Sequence, residues 1–214
     1  MNRSRVPVLA VASIVATVAP VAAQSSIHYG PLLGVAWAQW QGQGANGAVF
    51  PRSYNPGVRT GFVGGGFLRY QAADRVVLEP QLLFAQKGAQ FDSAGVTGTV
   101  ALDYIEVPIL LKVTLPTAEK RVEPSVFVGS AVGFQVGCKV EPPLPPAGAP
   151  PTCGDFQIGG HSSDVSAVFG LGLDAWRLAF QLRYDLGLSH VGTEAGHEVK
   201  NKAWLFTVGY RFGR

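Results

Sequence analysis

The chain has 214 residues, 47% of them hydrophobic and 14% charged, with 27 glycines and a formal net charge of +3. That length suits one sizeable domain. The charge content is well below the quarter usual for soluble domains. Arg3 and Arg5, near the start, carry two of the three net charges, so no nucleic-acid partner is implied.

Residues 2–5 make a short basic start, and residues 6–19 form a largely apolar run without charge. Val21, Ala22 and Ala23 then set small residues before a cut ahead of Gln24. This is the pattern of a secretory signal peptide. Residues 1–23 are expected to be removed, leaving 24–214 as a single domain. No later stretch has the roughly eighteen uncharged apolar residues of a spanning helix. A membrane location would have to be met by strands.

Eight strands are predicted, at residues 27–39, 58–71, 76–90, 99–115, 122–136, 164–175, 177–190 and 202–212. The seventh is the clearest. Leu178, Phe180, Leu182, Tyr184, Leu186 and Leu188 are apolar at every second position, with Arg177, Gln181, Arg183 and Asp185 between them. Side chains alternate across a strand, so one face is apolar and the other carries ions. The same parity sets Phe62, Leu68 and Tyr70 against Arg59 and Arg69, and Leu78 and Leu82 against Glu79, Gln81 and Lys87. It sets Ile105, Ile109 and Val113 against Tyr104, Glu106 and Lys112, and Val126 and Val128 against Glu123 and Ser125. It sets Phe169 and Leu171 against Asp174, and Trp204 and Phe206 against Thr207 and Arg211. In the first strand Pro31, Leu33, Val35 and Trp37 could face out. Pro80, Pro108 and Pro124 each remove a ladder donor, and bulges or strand ends are expected there.

The connections alternate. Those near residues 72–75, 116–121 and 175–176 are tight, while those at 40–57, 91–98, 137–163 and 191–201 are longer and rich in Gly, Pro, Ser and Asn. A closed sheet with ions inside and an apolar outer face belongs in a bilayer; a soluble ligand-binding barrel would invert it. The expected fold is all-β, a transmembrane antiparallel up-and-down barrel of eight strands with short periplasmic turns and long extracellular loops. Trp37, Phe84, Phe134 and Trp204 toward one end, and Tyr70, Trp176, Tyr210 and Phe212 toward the other, read as two interfacial girdles. Cys138 and Cys153 flank a proline-rich loop and are expected to be bridged in an oxidising compartment.

The predicted interior ion network comprises Arg69, Glu79, Glu106, Lys112, Glu123, Asp174, Arg177, Arg183, Asp185 and Arg211. Tight turns would set three opposed pairs across hairpins: Arg69 with Glu79, Lys112 with Glu123, and Asp174 with Arg177. Eight strands leave an interior just wide enough for side chains, so a filled lumen outweighs a conduit. His161, Ser163 and Asp164, and Ser189, His190 and Glu194, invite a hydrolase reading, but proximity in a loop does not establish a nucleophile and its base. No metal spacing, P-loop or nucleotide fingerprint is present, so no catalytic residue, metal or cofactor is expected.

The segment Tyr104-Ile105-Glu106-Val107-Pro108-Ile109-Leu110-Leu111-Lys112 resembles the Tyr-x-Glu-x-Pro-x-x-x-Lys core of PorT-like outer-membrane β-barrels, and Val208-Gly209-Tyr210-Arg211-Phe212 resembles their last strand. The resemblance implies the outer membrane as location, its lipids and its barrel-assembly machinery as partners, and no particular activity. The expected role is structural or surface-binding, through the long loops. A narrow channel is the first alternative and a lipid-modifying hydrolase the second.

Overall fold

The computed structural model describes residues 27–41, 57–93, 96–118, 121–141, 163–189 and 200–213. Eight strands follow in chain order: β1 Ile27–Gln41, β2 Gly57–Ala73, β3 Val76–Ser93, β4 Val96–Thr114, β5 Val122–Glu141, β6 Ser163–Ala175, β7 Leu178–Gly187 and β8 Lys200–Tyr210. Each pairs antiparallel with the next, and β8 closes on β1 from Leu32↔Gly209 to Gln41↔Lys200. Closure removes every free edge, which is what lets strands sit in hydrocarbon.

Alternation sorts the side chains as the sequence pattern requires. Leu33, Val35 and Trp37 point outward from β1 while Leu32, Ala36 and Ala38 are buried, which settles the facing of that strand. Large apolar side chains are exposed along every strand, among them Phe62, Leu82, Ile109, Val128, Leu171 and Phe206. In water so continuous an apolar surface would be an aggregation hazard; around a barrel it is a lipid-facing band. The interior is less polar than the parity alone suggests. Leu32, Val63, Phe67, Leu83 and Leu205 form a buried apolar cluster on the β1–β3 and β8 side, and a smaller one joins Leu110, Phe127, Ala131 and Val168.

The wall is uneven. β7 and β8 have 10 and 11 residues, about what one crossing needs. β2, β3, β4 and β5 have 17, 18, 19 and 20, so this side of the wall rises past the bilayer at the loop end, highest along β3–β5. The expected long loop at 91–98 is therefore corrected: Ser93 pairs with Val96 and the ladder continues down both strands. β7 is shorter than predicted, with Trp176 and Arg177 forming the turn before it.

Pro80 and Pro108 do not make bulges. Register is the same on either side of each, and each proline only opens one ladder: β2–β3 lacks pairs between Phe67↔Gln81 and Tyr70↔Leu78, and β3–β4 between Pro80↔Ile109 and Leu83↔Glu106. The other neighbour is retained, as in Pro108↔Ala131. In an antiparallel strand successive N–H groups point to opposite neighbours, so one missing donor need not shift register. The register shifts fall elsewhere, at Val58/Val63, Gln71/Ala73 and Asp103/Tyr104. Trp176 opens its two-residue turn at φ 54°, a position that favours glycine.

Candidate functional site

The lumen holds the chemistry of this chain. Four inward cations, Arg69, Lys87, Lys112 and Arg183, meet four inward anions, Glu79, Glu106, Asp174 and Asp185. Within this buried set the charges balance, and Arg211, half-buried toward the turn end, adds a fifth cation 4.0 Å from Asp174.

They stack in two layers. In the layer nearer the short turns, Glu79 is the hub. Its Oε2 receives Arg69 Nε at 2.8 Å and Lys112 Nζ at 2.7 Å. Its Oε1 accepts from Gln81 Nε2 at 2.7 Å and Gln181 Nε2 at 2.8 Å. Arg69 then reaches Asp174, Nη1 to Oδ2 at 2.6 Å. In the layer above, Lys87 Nζ lies 2.5 Å from Glu106 Oε1 and 3.1 Å from Asp185 Oδ2. Arg183 Nη2 lies 3.0 Å from Glu106 Oε2 and 2.9 Å from Asp185 Oδ2. Gln81 links the layers, donating to Gln181 Oε1 at 3.0 Å and accepting from Arg183 Nη1 at 3.4 Å. Lys112 and Arg69 also sit over the Phe127 and Phe67 rings, at 5.4 and 5.3 Å, contacts that help hold buried cations.

In a closed eight-strand ring, β3 lies opposite β7, and β2 opposite β6. Lys87–Asp185, Gln81–Gln181 and Arg69–Asp174 therefore join strands across the full lumen. These are struts rather than wall contacts. Removing one partner would leave the other buried without its counterpart.

Two of the three expected hairpin pairs are corrected. Arg69 does meet Glu79. Lys112 is opposite Phe127 on β5 and Val77 on β3, and its ammonium goes to Glu79. Glu123 is exposed at the turn-end rim, beside Asp174 across β5–β6, and forms no ion pair within 4 Å among the described residues. Asp174 is opposite Ala179, with Arg69 and, at 4.0 Å, Arg211 as its cations. Arg177 is exposed in the turn, its Nη1 3.4 Å from the Tyr210 hydroxyl, and lies outside the network. The β2–β3 turn keeps its predicted centre, while the β4–β5 and β6–β7 turns are displaced by two residues and one, and each such slip moves opposed partners apart by twice as much.

Lys87 and Gln81 carried the inward parity and complete the network, and so does Gln181. A further polar set near the loop end joins Asp164 and Ser189, which the hydrolase reading puts in separate groups, to the inward Tyr104 and to Asn201. Ser189 Oγ donates to Asp164 Oδ1 at 2.5 Å. Asn201 Nδ2 donates to Asp164 Oδ2 at 3.0 Å and to the Tyr104 hydroxyl at 3.3 Å. Its members come from the middle of β4, the starts of β6 and β8 and the segment just after β7, so no local spacing marks it. His161, His190 and Glu194 of the hydrolase reading lie outside the described residues, as does Cys153; Cys138 stands on β5 opposite Leu102. Among the described residues no cluster of three or more His, Cys, Asp or Glu could hold a metal.

Outward aromatics lie along the wall as well as toward its ends, with Phe62, Phe169 and Phe206 exposed besides Trp37 and Trp204. Trp37 is opposite Trp204, and Tyr184 packs on Trp204 at 4.9 Å between ring centres. At the turn end Phe212 contacts Tyr210 at 4.9 Å and Tyr29 at 5.9 Å, with Tyr70 and Trp176 exposed nearby in level.

A family model described as the outer membrane protein beta-barrel domain matches residues 22–193. Among solved structures, the chain is similar to OprG of Pseudomonas aeruginosa at 14% identity, covering 89% of this chain and 96% of that one, with a TM-score of 0.50. It is also similar to Ail, the attachment invasion locus protein of Yersinia pestis, solved in complex with the heparin analogue sucrose octasulfate. Identity there is 17%, over 87% and 99% of the two chains, and the TM-score is 0.43. For outer membrane protein W of E. coli the values are 12%, 86%, 97% and 0.38. No curated protein matches the chain. At these identities the structures speak to fold alone.

Proposed function

The chain belongs to the outer membrane protein β-barrel domain family, and on that footing we propose that it is a non-enzymatic surface protein with a closed lumen. The observation that carries this reading is the set of side-chain struts between opposite strands, Lys87–Asp185 and Arg69–Asp174 above all. A lumen crossed by matched charges is filled, and the working surface is then the loop end, where β3–β5 rise highest. Within the family we assign it to the PorT-like type. Tyr104, Glu106, Pro108 and Lys112 are separated by even numbers, so all four face inward, and Glu106 and Lys112 anchor the two ionic layers. We further propose export behind a leader of residues 1–23, with insertion by the barrel-assembly machinery into outer-membrane lipid.

Solute flux tests the closed lumen. Liposomes carrying the refolded mature chain should swell in arabinose no faster than protein-free liposomes. Swelling that slows as the sugar grows would favour the narrow channel. The hydrolase reading has its own readout: loss of the protein should leave the outer-leaflet lipid species unchanged. A species that disappears, and returns with the wild-type chain but not with Ser189→Ala, would replace the present proposal.

We also propose that Cys138 and Cys153 are bridged. A crosslink closing a loop of that size contributes about 3 kcal/mol in the chain-entropy account. Thiol labelling of the exported, unfolded protein should find no reactive cysteine before reduction and both after it. Labelling of both without reductant would refute the bridge.

A further inference from the structure

On the outer wall, across the turn-end half of β1–β4, lies a groove of about 940 Å³. Its floor is made where side chains are missing or short. Gly66, Pro31 and Pro80 line that floor, with Pro31 paired to Gly66, while at Gly64 the Phe62 ring lies where a side chain would stand. Gly66 shares the outward parity of Leu68 and Tyr70, and a Cβ there would meet only the Gly30 carbonyl oxygen, at 3.3 Å. Tyr29 and Phe212 bound the groove toward the short turns, and Phe84 bounds it on the far side. From Leu68 to Gly64 along β2 it runs about 13 Å at the rise of a strand. That is the length of much of one acyl chain.

Below the groove is a cation. Arg75 is exposed in the β2–β3 turn, five residues from Pro80, about 16 Å along the strand. The short turns of outer-membrane barrels face the periplasm, so Arg75 stands at the headgroup level of the inner leaflet. We propose that one anionic phospholipid of that leaflet docks on this face, its acyl chain in the Gly64–Gly66 groove and its phosphate on Arg75. A second copy of the chain is the poorer occupant. A two-fold contact would set the depression against itself and leave it unfilled, whereas a flexible chain fills a concavity without needing a matching knob. The inference rests on membrane placement and not on the closed lumen, so a conducting barrel would leave it standing.

Spin-labelled lipids test it in vesicles of phosphatidylcholine holding the refolded mature barrel, with folding of each variant checked by its heat-shifted gel mobility. Labelled phosphatidylglycerol should show an immobilised component larger than labelled phosphatidylcholine does. Arg75→Ala, on an exposed turn, should reduce that preference by roughly fivefold while leaving chain immobilisation in place. Gly66→Leu, which fills the groove, should remove the immobilised component for both lipids. Arg121→Ala, at another turn, should match wild type. Equal immobilisation of the two lipids by wild type would overturn the proposal. So would an Arg121→Ala loss equal to that of Arg75→Ala, which would mean a general rim charge. A wild-type dimer that Gly66→Leu dissociates would give the groove to a second copy instead.

Discussion

Glu79→Ala is expected to lower the folding free energy by about 3–5 kcal/mol, the range for removing one member of a buried ion-pair group. Glu79 is fully buried and accepts from Arg69, Lys112, Gln81 and Gln181. Without it Lys112 has no ion-pair partner within 4 Å among the described residues, and Arg69 keeps Asp174 alone among them. The cost comes from the stranded ammonium more than from the lost attraction. Glu79→Gln should be milder, since an amide still accepts through its oxygen. Glu123→Ala is the contrast: its carboxylate is exposed at the rim, and its loss should stay within about 0.5 kcal/mol. Urea titrations of the refolded barrels in phosphatidylcholine vesicles measure all three. A Glu79→Ala loss no larger than that of Glu123→Ala would mean that water reaches the hub.

Ile109→Arg should cost about 2–4 kcal/mol, the penalty of a cation on the lipid face at the midplane. Ile109 is half exposed on the outer wall and five residues above the end of β4 at Thr114. That is half of the nine to eleven residues of one crossing. Ile109→Leu keeps the apolar face and should change little. The same titration separates them, and equal stability of the arginine variant would place β4 outside the hydrocarbon.

How much of this was legible in the sequence differs between wall and lumen. Facing follows from a period of two, which is local. Phe62 against Arg69, or Ile109 against Lys112, needed no knowledge of any other strand. Strand number and closure followed from the alternation of tight and long connections. Partners inside the barrel are another matter. Arg69–Asp174 spans 105 positions and Lys87–Asp185 spans 98, and no hairpin relates them. They meet because closure brings β2 onto β6 and β3 onto β7, and the stagger between strands sets their heights. The sequence showed an arginine pointing inward at 69 without showing that it would cross to β6. Lys112 and Glu123 illustrate the same limit at short range: the β4–β5 turn is off its predicted centre, so the two are no longer opposed. The uneven height of the wall was hidden by composition. Gly, Ser and Asp at the ends of β3 and β4 read as a loop, yet their ladder continues, since pairing between two long strands outweighs weak local propensity.

Planar-bilayer recording of the refolded mature chain tests the closed lumen most directly. Struts between opposite strands predict no regular conductance steps from the wild type in molar KCl, and steps appearing once Lys87 and Arg183 are both replaced by alanine. Uniform steps from the wild-type chain, of the size an open eight-strand lumen would pass, would contradict it.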